Sequence, residues 1–108
     1  MVFQPPTSGY LEQNFIHMPI PNEQGWAVAE LENPEIKLGL RLTFDTSTLP
    51  YLNEWKMMGE GLYVLGIEPI NCTTDNGLDQ TNEQKHLPSL EAGESRSYEM
   101  AIEVVEYS

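Results

Sequence analysis

The sequence predicts an all-β protein, an antiparallel β-sandwich in one domain, and three observations carry that expectation. Leu38, Leu40, Leu42 and Phe44 alternate strictly with Lys37, Gly39, Arg41, Thr43 and Asp45. Period two over that length marks a half-buried strand of an antiparallel sheet. Near the C-terminus Tyr98, Met100, Ile102 and Val104 alternate in the same way with Ser97, Glu99, Ala101 and Glu103, whose acids would face outward. The rest of the chain carries no helical heptad, internal repeat or interdomain linker, and Pro, Gly and Asn turns divide it into about five or six short strands. A length of 108 residues allows one domain with one core.

Taken in order, residues 1–9 form a coil, because Pro5, Pro6, Ser8 and Gly9 leave no ladder-forming run. Residues 10–20 are an aromatic and branched strand closed by Pro19 and the turn signal Ile20-Pro21-Asn22. Its alternation is imperfect and does not say which face is buried. His17 lies on it, and a lone histidine there is more often a packing or hydrogen-bonding residue than a catalyst. Residues 25–33 are a second strand, ended by Asn33-Pro34. The alternating run 37–45 follows, and its four large apolar side chains contribute about 1.5–3 kcal/mol each when buried. Arg41, on the polar face of that run, points either to solvent or into a ligand groove.

Residues 46–51 are a loop. Residues 73–86 are polar throughout and predict a surface loop. Asp75, Asn76 and Asp79 invite a calcium reading, but their spacing is not that of an EF-hand. His86 closes that loop as a solvated residue. Residues 90–94 turn the chain into its last strand.

The balance of 5 basic against 17 acidic residues, net −12, argues against nucleic acid and anionic membranes as partners, since phosphates need cations. The single cysteine, Cys72, permits no internal disulfide and without a neighbouring base is more often inert than nucleophilic. No secretory h-region and no apolar run of membrane length is present, which makes a cytoplasmic location the expectation and Asn71-Cys72-Thr73 a chance sequon.

One stretch carries the chemistry. Glu54-Trp55-Lys56-Met57-Met58-Gly59-Glu60-Gly61 runs through two glycines into a β-type segment holding Glu68 among apolar residues. Alternation there sends Leu62, Val64, Gly66 and Glu68 to one face and Tyr63, Leu65 and Ile67 to the other. A carboxylate on such a strand costs free energy unless it is solvated or paired. Gly66 clears a side chain beside it, which leaves room for a ligand. With Trp55 and Lys56 near in sequence, the stretch reads as the floor of a sugar site.

The same residues carry a family resemblance. Trp55-Lys56-Met57-Met58-Gly59-Glu60-Gly61, Gly66-Ile67-Glu68-Pro69, Asn71-Cys72, Leu87-Pro88 and Leu90-Glu91-Ala92-Gly93-Glu94-Ser95-Arg96 resemble the DUF4432 proteins. Those are aldose 1-epimerase-like members of the galactose mutarotase-like β-sandwich superfamily. The resemblance implies a partial supersandwich corresponding to the C-terminal portion of a longer fold. It implies Glu68 as the base that takes the proton from an anomeric hydroxyl, a reaction that also needs an acid for the ring oxygen. In that family the acid is a histidine on an earlier part of the fold, and neither His17 nor His86 sits in a matching segment. Trp55 would stack on a pyranose face, and Lys56 and Arg41 would bond sugar hydroxyls. No metal or other cofactor is required.

Against these roles stand plainer ones, in which Glu68 faces solvent or pairs with Lys56, Trp55 packs in the core and Lys56 is solvated. The functional alternatives are a non-catalytic carbohydrate-binding module and an inactive structural domain. A sandwich corresponding to part of a longer fold would expose a sheet edge and some apolar face. The expected partners are therefore a monosaccharide and a second copy of the chain, in a symmetric dimer.

Overall fold

The computed structural model describes residues 1–73 and 87–108. The calcium reading on Asp75, Asn76 and Asp79, and the placement of His86, lie outside the described residues. Among the described residues six strands run in the order β1 (Gln13–His17), β2 (Trp26–Asn33), β3 (Leu38–Asp45), β4 (Tyr51–Met58), β5 (Tyr63–Ile70) and β6 (Met100–Glu106). They form two antiparallel three-stranded sheets, ordered β1-β4-β5 and β2-β3-β6. The protein is all-β and sandwich-like.

Strand identities follow the alternation, and strand ends follow the punctuation. The run 37–45 becomes β3, and Asn22 caps the turn into β2 by accepting hydrogen bonds from the Gln24 and Trp26 amides at 3.0 Å. The β4–β5 hairpin turns on the two glycines: the Gly59 amide bonds the Leu62 carbonyl at 2.9 Å, and Gly61 takes φ 78°, a conformation glycine adopts without a Cβ penalty. The first strand is shorter than the 10–20 run because only Gln13 to His17 find partners on β4.

Opposed residues of an antiparallel ladder share a face, so the register assigns the two inner surfaces. Ala27 and Ala29 of β2 lie beside Phe44 and Leu42 of β3. Leu52 of β4 and Ile67 of β5 meet them from the other sheet, with Leu49 of the intervening loop. Phe44 is wholly buried at the centre of this small core. The same inner face of the second sheet continues through Leu40, Leu38, Met100, Ile102 and Val104. There the burial expected from the alternation fails: Ile102 is 71% and Val104 65% exposed. They point to the correct side of their sheet, but the core stops at β3 and does not extend sideways over β6: Leu42, opposite Ile102, is buried while Ile102 is not.

The N-terminal coil packs at the β4–β5 hairpin end of the first sheet. The Thr7 amide bonds the Met58 carbonyl at 2.9 Å, and the Tyr63 hydroxyl donates to the Gln4 carbonyl at 2.5 Å. Among the described residues no helix is long and apolar enough to cross a membrane.

Candidate functional site

Glu68 lies on the outer face of the β1-β4-β5 sheet, with Gly66 and Val64 on its own strand. Asn53 and Trp55 of β4 stand opposite Glu68 and Gly66. Asn14 and Ile16 of β1 complete that face, Asn14 being opposite Trp55 and Ile16 opposite Asn53. Asn53 connects these elements through one nitrogen: Nδ2 donates to Glu68 Oε2 at 2.9 Å and to Asn14 Oδ1 at 3.1 Å. A carboxylate only accepts, so the contact with Glu68 fixes which end of the Asn53 amide is nitrogen. Asn53 Oδ1 is then left buried with no hydrogen-bond partner among the described residues. A buried acceptor without a donor costs about 1–3 kcal/mol.

Gly66 has a more local use than clearing space for a ligand. A Cβ built there would stand 2.4 Å from Glu68 Oε1 and 3.2 Å from its Cδ. The cleared space is taken by the Glu68 carboxylate itself, folded back along the strand and held by Asn53. Any other residue at 66 would push it out.

The carboxylate borders an open cavity of about 840 Å³, walled by Asn14, Ile16, Asn53, Ile70, Asn71 and Tyr98 among others. Asn71 Nδ2 donates to the Tyr98 hydroxyl at 3.0 Å and joins the end of β5 to the approach to β6. Amides, a carboxylate and a phenol beside branched apolar side chains form a surface able to hold a small polyhydroxylated molecule with an apolar face.

The structure brings together only some of the residues singled out in the sequence. Trp55 shares the face of Glu68, outside the cavity wall, with its indole N–H donating to Glu12 Oε2 at 2.7 Å. Lys56 points the other way, as the next residue on a strand must. It is 5% exposed, its ammonium donates to the Val2 carbonyl, and it stands 5.8 Å from the Phe3 ring centroid. Trp55 is thus half-buried on the outer face and not in the core, Lys56 is buried and not solvated, and a pairing of Lys56 with Glu68 is ruled out by the sheet between them.

Arg41 is on the outer face of the second sheet, where it bonds Glu30 at 2.8 Å and Glu103 at 2.7 Å. The hydrogen bond and charge of Glu30, with the charge of Glu103, raise its pKa further above an already high value. It contributes to no groove shared with Glu68. His17 also lies across the sheet from Glu68, 2.6 Å from Glu54. Cys72 lines the cavity as a free thiol.

Asn14, Asn53 and Tyr98 were not singled out in the sequence as site residues, and Asn71 entered only through the resemblance motif Asn71-Cys72. A signal existed for Asn53, which sits two residues before Trp55 and therefore on its face. Asn14 and Tyr98 arrive from distant segments and carry no local signal.

The fold and this face define an all-β, two-sheet protein with one carboxylate oriented by amides on an outer sheet surface. Residues 1–104 match the family model described as a domain of unknown function, DUF4432, and the chain belongs to that family. No curated protein and no solved structure matches it.

Proposed function

We propose that the outer face of the β1-β4-β5 sheet binds a monosaccharide, and that Glu68 is the base of an aldose 1-epimerase-like site of the galactose mutarotase type. The observation that carries this reading is the Glu68 carboxylate, set over Gly66 and tied to Asn53 at the edge of the cavity. In that place it can accept the proton of an anomeric hydroxyl. The unpartnered Asn53 Oδ1 supports the same reading as an acceptor that a hydroxyl or water could satisfy. Trp55 offers an aromatic surface on the same face. The acidic balance of the chain disfavours a phosphorylated sugar. A cytoplasmic place of action belongs to this reading, in keeping with a free Cys72.

A second reading, a binding module without turnover, is favoured by one observation. His17, the one histidine among the described residues, lies on the other side of the sheet from Glu68. A histidine acid on this face, as in the family the chain resembles, would have to come from outside the described residues.

Protein-observed NMR with glucose, galactose, fucose and rhamnose tests the site. Shifts are expected at Asn53, Trp55 and Glu68 and are expected to vanish in Glu68→Ala. An anomer-exchange assay then separates enzyme from module. A folded protein whose spectrum ignores all four sugars would refute both readings.

A further inference from the structure

We propose that β6 seats a two-fold homodimer in which Ile102 pairs with the partner's Ile102 across the axis. The observation is the open edge of the second sheet. In the order β2-β3-β6 no strand among the described residues pairs with the outer side of β6. Met100, Ile102 and Val104 on its inner face are 51%, 71% and 65% exposed. Natural edges of this kind are usually blunted by charge, proline or a bulge; β6 has Glu106 only at the end of its inner face, and the three inner residues before it are apolar. β5 by contrast carries Pro69, which cannot donate to a ladder.

Backbone direction fixes which groups are offered. The Asp45 amide bonds the Glu99 carbonyl at 3.1 Å and the Tyr107 amide bonds the Lys37 carbonyl at 2.9 Å. These pairs belong to the same antiparallel register that opposes Leu42 to Ile102. Hydrogen-bonded and non-hydrogen-bonded pairs alternate along such a ladder. Odd-numbered residues of β6 therefore turn their N–H and C=O groups to β3, and Met100, Ile102 and Val104 turn theirs to the open edge.

Charge and apolar contact together select the register: a mate centred on Val104 would set Ile102 against Glu106, and one centred on Met100 would run off β6 and set Val104 against Arg96. A symmetric antiparallel mate centred on Glu103 would oppose two carboxylates, and one centred on Ala101 would oppose Glu99 to Glu103. Centred on Ile102, the mate sets Met100 against Val104, Ala101 against Glu103 and Glu99 against Val105. No acid then faces an acid, and like charges directly opposed are destabilising. This register also joins two copies of the exposed apolar strip into one continuous surface.

The net charge of −12 on each copy opposes the union, so the dimer should strengthen as salt screens it.

Sedimentation across a concentration series is expected to show a monomer–dimer equilibrium that shifts toward dimer between low and about 0.5 M salt. Ile102→Lys puts two ammonium groups at the axis and should weaken association by about tenfold or more. As Ile102 is exposed, the variant should keep its fold, which far-ultraviolet circular dichroism would verify. In a Cys72→Ser background, Ile102→Cys should form an intersubunit disulfide, since a hydrogen-bonded pair sets Cα atoms about 5.5 Å apart, within disulfide reach. Glu103→Cys, facing the partner's Ala101, should not cross-link to itself. A monomer at every concentration and salt would overturn the proposal, as would equal cross-linking at the two positions or association unmoved by Ile102→Lys.

Discussion

The two ends of β3 present the same face to different surroundings. At one end Phe44 and Leu42 are enclosed by Ala27, Leu49, Leu52 and Ile67, and Phe44 has no exposure. At the other, Leu38 and Leu40 keep about two-fifths of their surface, and Val104, opposite Leu40, is 65% exposed. Strand, period and side-chain type are equivalent. What differs is whether the second sheet lies over them, and that depends on residues remote in sequence. Alternation therefore tells which side of a sheet a residue faces, and only tertiary structure tells whether that side is covered.

The contrast predicts a graded set of substitutions. Phe44→Ala should cost about 3–5 kcal/mol, because a void is left in a core too small to close over it; urea unfolding would measure this. Lys56→Ala comes next, at about 1–3 kcal/mol, through the orphaned Val2 carbonyl and the lost stem packing. An unchanged urea midpoint for that variant would mean that the N-terminal strap contributes little. Ile102→Ser should change the stability of the monomer by less than about 0.5 kcal/mol. A loss comparable to that of Phe44→Ala would show that the inner face of β6 is covered within the monomer.

The smallest effect falls at the turn below Phe44. Asp45 Oδ1 accepts hydrogen bonds from the Ser47 hydroxyl at 2.7 Å and the Ser47 amide at 2.9 Å, which lower the Asp45 pKa from its ordinary 3.8. A depressed carboxylate favours the folded state above the unfolded value and loses that contribution as pH falls through the folded one. The pH dependence it produces is therefore confined to pH below about 4, and the contribution is fully present above that. Ser47→Ala should move the Asp45 titration, followed by NMR, back up toward its ordinary value.

Much of this fold was legible because most strands have a polar side and an apolar side. β3 and β6 announce themselves by strict alternation, and the Gly59 and Gly61 turn was visible as punctuation. β4 was harder, since Tyr51, Asn53, Trp55 and Met57 face outward while Leu52, Glu54, Lys56 and Met58 face inward. Each set mixes polar and apolar side chains, so no binary pattern separates them. Proximity in sequence then suggested grouping Trp55 with Lys56, although adjacent strand residues diverge. The face of Glu68 could be read from period two alone. Its partners could not, because Asn14 is brought to Asn53 by the β1–β4 pairing and Tyr98 by the path into β6.

The most direct test of the proposed site is the sugar titration followed at single residues in the native chain and in Gly66→Ala. The variant leaves every candidate ligand contact in the sequence and removes only the space in which the Glu68 carboxylate lies. The account predicts shifts at Asn14, Asn53 and Glu68 in the native protein, their loss in Gly66→Ala, and silence at Lys56 and Arg41 in both. Sugar-dependent shifts centred on Lys56 or Arg41, or an undiminished response in Gly66→Ala, would contradict it.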